Sequence, residues 1–179
     1  MAANIPPKDY IDSVKFPAEI TLAPIGVVRS PHRERHGTPH QAVLPADPAV
    51  RPEESCRIEV FPSRAPVECL RDLGEFEYVW VLAYLHLNRG FRPLLAPPRD
   101  PDRKHGVFAT RAPHRPNPLG LSAARIVAVR GHCVHLERLD LLDGTPVLDL
   151  KPYVPYCDAF PEADAGWVGR LPRPTENDR

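Results

Sequence analysis

No excess charge of either sign marks this chain. Lys and Arg number 23, Asp and Glu number 23, and the formal net charge is zero. A chain-wide field that would draw in nucleic acid is thereby excluded, so any RNA contact has to come from a local basic patch. The four cysteines, Cys56, Cys69, Cys133 and Cys157, include no C-x-x-C pair. That excludes a zinc knuckle and a dense disulfide framework, and leaves free thiols in a reducing cytosol as the simple reading. The longest apolar run, Val79–Leu85, is too short to span a bilayer. Met1–Glu19 is polar, with prolines and charges where a signal peptide has an apolar centre. A cytoplasmic protein with no membrane partner is expected. A Walker loop, a G-x-G-x-x-G turn and a G-x-S-x-G elbow are also missing. Nucleotide hydrolysis, dehydrogenase chemistry, serine hydrolysis and a Rossmann-type methyltransferase lose their usual support.

What the chain has in quantity is proline, 24 residues of 179. Proline lacks a backbone donor and breaks helix interiors, so the composition argues against a helical bundle and for short strands joined by stiff loops. The apolar fraction of 42% suits one soluble domain with a real core. Strands are read at Glu19–Val28, Cys56–Phe61, Glu77–Leu87, Gly106–Thr110, Leu121–Val129, Cys133–Leu139 and Val147–Leu150. In Cys56–Phe61 the residues Cys56, Ile58 and Val60 share one face. One short helix is read over Ala65–Phe76, where Val67, Leu70 and Leu73 stand three apart. Arg130-Gly-His reads as a hairpin turn. The expected fold is mainly β: an antiparallel β-barrel with long rim loops and one or two short helices. It is expected to occupy 19–160, after a loose leader at 1–18 and before a flexible tail at 161–179 that frays from Gly166.

Thr110–Leu121, TRAPHRPNPLGL, is the segment best suited to hold a ligand. Pro113, Pro116 and Pro118 pre-order it, and a pre-ordered loop loses little entropy on docking. It presents Arg111, His114, Arg115 and Asn117, and Gly120 allows a close approach. On composition alone it equally fits a stiff surface loop with solvated arginines. In Leu139–Lys151, Asp140, Asp143 and Asp149 lie among apolar residues. Asp143-Gly is an ordinary turn pair, and Asp149 with Lys151 suits a structural ion pair. His32, His36 and His40, and His132 with His135, supply no recognisable metal-ligand spacing, so no metal is expected. Arg89, Arg92, Arg99, Arg103, Lys104, Arg111 and Arg115 fall in two loops and form either a limited phosphate contact or a solvated face.

Four segments then carry a resemblance: IGVVRSP at Ile25–Pro31, GTPHQ at Gly37–Gln41, GVFATRAPHRPNPLGLS at Gly106–Ser122 and LDLLDGTPVLDLKPYVP at Leu139–Pro155. From about Ala23 to Ala159 the chain resembles the TsaA/YaeB-like (TrmO-type) β-barrel methyltransferases. The resemblance implies an S-adenosyl-L-methionine cofactor, a homodimer, and N6-methylation of N6-threonylcarbamoyladenosine at position 37 of a tRNA anticodon loop. DNA is not an implied partner. The implied cofactor contacts are Pro39, His40 and Gln41, His86 and Leu87, Arg111, Leu121, and Glu137, Arg138, Leu139 and Asp140. His40 stands where the family has arginine, and Leu87 where it often has glutamine. Longer bacterial members continue into a small C-terminal domain, where only about twenty residues are expected to follow the barrel here. Leu87, Leu121 and Leu139 are candidates to wall the adenine, and Arg111 or Arg115 to read the threonyl carboxylate. His86, His114 and Asp140 are candidate bases, with no choice among them. A binding module without turnover and a methyltransferase acting on another substrate remain as alternatives.

Overall fold

The computed structural model describes residues 17–34 and 56–172. Six strands close into a barrel: β1 (Gly26–Arg29), β2 (Arg57–Val60), β3 (Tyr78–Tyr84), β6 (Leu119–Arg130), β7 (Cys133–Leu136) and β8 (Pro146–Pro152). Around the barrel they run β1-β2-β7-β6-β3-β8, every pair antiparallel, and β8 returns to β1 through Gly26↔Val147. A two-residue pair, β4 (Leu94–Leu95) with β5 (His105–Gly106), ties the outer loops together.

Alternation builds the interior. Ile58 and Val60 of β2, Val79, Val81 and Ala83 of β3, and Val134 and Leu136 of β7 turn inward and are buried. The β-branched residues among them fit a pleated, half-buried surface. Two bulges bend the wall. One leaves Leu148 unpaired between Val147 and Asp149, opposite the Leu82/Ala83 step. The other leaves Val127 unpaired between Ile126 and Ala128. The seam between β1 and β2 is tight: a Cβ on Gly26 would lie 2.6 Å from the Glu59 carbonyl oxygen. On the outer face of β3, Tyr153 packs against Tyr78 and Trp80, with ring centroids 6.0 and 5.3 Å apart. A four-residue helix, α1 (Pro155–Asp158), is pinned there by Trp80 Nε1 donating to Asp158 Oδ2 at 3.0 Å.

The barrel expectation holds, and several boundaries move. The helix expected over Ala65–Phe76 is instead two 3₁₀ turns, Val67–Leu70 and Leu73–Glu75, separated by Asp72 at φ +63. A spacing of three matches the 3.0-residue period of a 3₁₀ turn better than the 3.6 of an α-helix, and Leu70 and Leu73 are buried on it. β1 starts only at Gly26, leaving Ile20 and Leu22 exposed. The strand expected at Gly106–Thr110 is a 3₁₀ turn over Val107–Ala109. Fraying from Gly166 does not describe residues 166–172. Trp167 stacks on His105 at 4.1 Å and donates from Nε1 to the Ala109 carbonyl at 2.8 Å. Residues 1–16, most of the expected leader, lie outside the described residues.

Candidate active site

The rim formed by the ends of β1, β3 and β7 and the starts of β6 and β8 gathers the polar residues. At its centre is Asp140, on the loop after β7. Ser122, an inward residue of β6, donates its hydroxyl hydrogen to Asp140 Oδ1 at 2.5 Å. Burial raises the Asp140 carboxyl above the ordinary carboxylate range, against the opposing pull of the Ser122 hydrogen bond, a backbone N–H, Arg111 and His32. A buried carboxylate disfavours its charged form unless donors or cations offset the lost water. Burial lowers His32, and the charge of Asp140 acts the other way.

A short lattice of hydrogen bonds brings His32 to this rim. The Ser30 hydroxyl donates to the Leu141 carbonyl at 2.8 Å, and the Ser30 amide donates to Asp143 Oδ1 at 3.2 Å. The Asp143 amide donates to the His32 carbonyl at 2.7 Å, and the Gly144 amide to the Val28 carbonyl at 2.9 Å. Asp143 is therefore a turn former that also clamps the chain leaving β1. Its ordinary turn chemistry was legible in the sequence; its grip on Ser30 was not. Ser122, Ser30 and His32 are site residues that the sequence reading did not assign, although all three lie within or beside the segments that carry the resemblance.

In the proline-rich segment the two arginines divide. Arg115 turns inward on its own loop: its Nη1 lies 3.2, 2.8 and 3.4 Å from the carbonyls of Val107, Thr110 and Ala112. Those bonds, all from one guanidinium nitrogen, brace the turn. Arg111 is exposed, and its charge favours the ionised form of Asp140. Gly120 makes the close approach expected of it, since a Cβ there would lie 3.1 Å from Leu85 Cδ2.

His86 and Leu87 sit in the turn directly after β3, both exposed. Leu121 is 61% exposed on the barrel's outer face, in a cross-strand pair with Leu82. It therefore points away from the interior that Ser122 and Asp140 share. Leu139 is fully buried in the core, backbone included, so it anchors the segment that leads to Asp140 rather than lining an open surface. Glu137 continues the end of β7: its amide donates to the Arg125 carbonyl at 2.9 Å, and Arg138 follows it. Pro39, His40 and Gln41 lie outside the described residues. Lys151 and Asp149 form the expected ion pair at 2.9 Å. An apolar depression of about 390 Å³ opens at the opposite end of the barrel, between Ile25, Val60, Leu73 and Phe76; Asp149 lines it, while Asp140, Arg111, His86 and Leu121 do not.

The family model for the tRNA-methyltransferase O N-terminal domain matches residues 27–159, which take in five of the six barrel strands and most of the sixth, and the whole rim described above. The chain belongs to this family. It is 35% identical to the tRNA (adenine(37)-N6)-methyltransferase of Escherichia coli over 83% of this chain and 63% of that protein. It is 40% identical to a Pyrococcus abyssi protein described as a probable S-adenosyl-L-methionine-binding protein, over 86% of this chain and 78% of that one. The crystal structure of TrmO from Pseudomonas aeruginosa superposes with a TM-score of 0.66 at 37% identity, over 83% of this chain and 62% of the other. The chain thus spans a little under two thirds of the E. coli and P. aeruginosa proteins. Among its described residues no helix is long and apolar enough to cross a membrane.

Proposed function

We propose that this TrmO-family domain is an S-adenosyl-L-methionine-dependent tRNA methyltransferase, acting on N6 of N6-threonylcarbamoyladenosine at position 37 of an anticodon loop. The observation that carries this reading is the convergence of Ser122, Arg111 and His32 on Asp140 at one rim of the barrel. The relatives' names supply the substrate class. We further propose that the protein is cytoplasmic and that its barrel unit covers 19–160.

The residues present fit the cofactor's chemistry. Asp140 offers acceptor oxygens for a cation or ribose hydroxyls, Arg111 an exposed cation for a carboxylate, and the exposed Leu87 and Leu121 apolar surface for a base. Glu137 and Arg138 contribute through the chain segment that leads to Asp140, and Leu139 by anchoring that segment in the core. His86 and the Pro39-His40-Gln41 segment complete the proposed contact set. The cofactor supplies an electrophilic methyl group on a sulfonium. The protein's part is to hold the acceptor nitrogen in line with that methyl and to accept the proton it loses. Among the candidate bases we take Asp140, because burial raises its basicity. Arg111, with Arg115 committed to its loop, is the side chain left to read the threonyl carboxylate or the cofactor's own carboxylate.

A homodimer is part of the proposal. Leu121, Leu119 and Tyr84 are exposed on the outer face of one β3–β6 pairing, while Asp140 faces the interior. A second copy covering that face would bring Leu121 to a complete site. The test is transfer of labelled methyl from S-adenosyl-L-methionine to tRNA carrying the threonylcarbamoyl group, with the unmodified tRNA as control. Transfer that depends on the threonylcarbamoyl group supports the reading. Tight cofactor binding without transfer to either tRNA replaces it with a binding module.

A further inference from the structure

Phe108 is held outward by a braced turn, and its ring is 77% exposed. It is the middle residue of the 3₁₀ turn Val107–Ala109, three positions before Arg111. A lone exposed phenylalanine is unremarkable by itself. What sets this one apart is how the backbone around it is fixed. The Val107 carbonyl accepts from Arg115 Nη1 and from the Thr110 hydroxyl at 3.2 and 2.9 Å. The Ala109 carbonyl accepts from Trp167 Nε1 at 2.8 Å, and the Thr110 carbonyl from Arg115 Nη1 at 2.8 Å. Trp167 also stacks on His105, whose Nε2 lies 2.8 Å from Asp100 Oδ2. Side chains from two directions thus immobilise the turn and leave its aromatic ring in solvent.

The Arg115 guanidinium carbon lies 5.6 Å from the Phe108 ring centroid, which places a cation beside the ring. From Arg103 to Leu136 the chain contains no Asp or Glu, while Arg103, Lys104, Arg111 and Arg115 lie close to Phe108 in sequence. Where such a basic patch lies on the axis of a two-fold interface it meets its own copy, and like charge opposes like. A polyanion with exposed aromatic faces meets no such opposition. Unpaired RNA bases stack on aromatic side chains while their phosphates pair with arginines.

We propose that Phe108 is the stacking platform for an unpaired base adjoining the target adenine, with Arg115 and Trp167 as the positioning residues that hold its turn. This rests on the tRNA reading above and names a residue for it.

The test uses the full chain, an anticodon stem-loop RNA carrying 2-aminopurine beside the target adenine, and full tRNA for turnover. Wild type is expected to quench the 2-aminopurine on binding. Phe108→Ala should abolish most of the quench and raise the RNA Kd on the order of tenfold. KM for tRNA should rise with kcat little changed, and cofactor affinity and molecular mass should stay as in wild type. Phe108→Trp should retain the quench, and Trp167→Leu should weaken it with Phe108 in place. If wild type binds no anticodon RNA, the tRNA reading and this proposal fall together. If wild type binds and methylates while Phe108→Ala equals it in affinity and quench, only this proposal falls. It falls also if Phe108→Ala lowers the molecular mass, because the ring then meets a second copy of the chain.

Discussion

Ser122 on β6 donates its hydroxyl hydrogen to Asp140 Oδ1 across 2.5 Å, joining the inner wall of the barrel to the loop that follows β7. That bond is one of the influences that holds down the basicity of Asp140, against the burial that raises it. Ser122→Ala should therefore push the Asp140 carboxyl further up. It should also destabilise the fold by about 1–3 kcal/mol, the usual effect of orphaning a buried polar group. Urea denaturation measures the second effect, and carboxyl titration by NMR the first.

Asp140→Asn tests whether burial outweighs the donors and cations around the carboxyl. A carboxyl raised in the folded state holds its proton there longer than in the unfolded chain. Stability is thus lost as pH climbs from the unfolded pKa through the folded one. Asparagine carries no charge and can still accept from Ser122. The variant should gain thermal stability relative to wild type at neutral pH, and the gain should vanish below about pH 4, where unfolded aspartate is itself protonated. An unchanged difference across that range would count against a buried, cation-flanked carboxylate. Cofactor affinity should fall in the same variant.

Arg111 and Arg115 should separate cleanly. Arg115→Met removes the cap from the Val107, Thr110 and Ala112 carbonyls. It should cost about 1–3 kcal/mol and speed amide exchange across Val107–Ala112. Arg111→Ala touches none of those bonds. It should leave the melting temperature within a degree or two of wild type and weaken cofactor or substrate binding, read by calorimetry.

Leu139→Ala should behave as a core truncation. The side chain is fully buried, so a loss of about 2–5 kcal/mol is expected. Retained cofactor affinity in the folded fraction would agree with a residue that anchors the rim from the core without meeting the ligand.

Gly26→Ala tests the seam. The added methyl would stand 2.6 Å from a backbone oxygen of the neighbouring strand, and a backbone atom cannot step aside as a side-chain tip can. A loss of roughly 1–3 kcal/mol is expected from such overpacking, with tryptophan fluorescence following the unfolding transition.

The barrel was legible because its signal is local. Cys56, Ile58 and Val60, or Val134 and Leu136, show their alternation within a few residues, and the structure buries each of them. The two turns within Ala65–Phe76 were not legible, because a three-residue spacing fits both a 3₁₀ turn and an α-helix. Asp72 decides between them with a left-handed backbone that no composition rule announces. Arg111, Asp140 and the proline-rich loop were legible as motif members. Their partners were not: Ser122 reads as a strand residue, Ser30 as a motif member with no assigned role, and Trp167 as part of the expected flexible tail. Each takes its role from a contact across the fold, and for Ser30 that contact reaches 113 positions along the chain.

That long reach governs when the rim can exist. The chain leaving β1 is clamped by the turn at Asp143, and β1 finds its second neighbour only at Pro146 and Val147. Pairings so distant in sequence close late, because the entropy of a long loop is lost before the contact rewards it. A chain emerging from the ribosome would carry the proline-rich loop well before it had the turn that brings His32 to Asp140. Methyl-donor binding should therefore report barrel closure itself: a refolding chain would gain it in the final step, together with the β1–β8 seam, and no earlier intermediate would hold the cofactor.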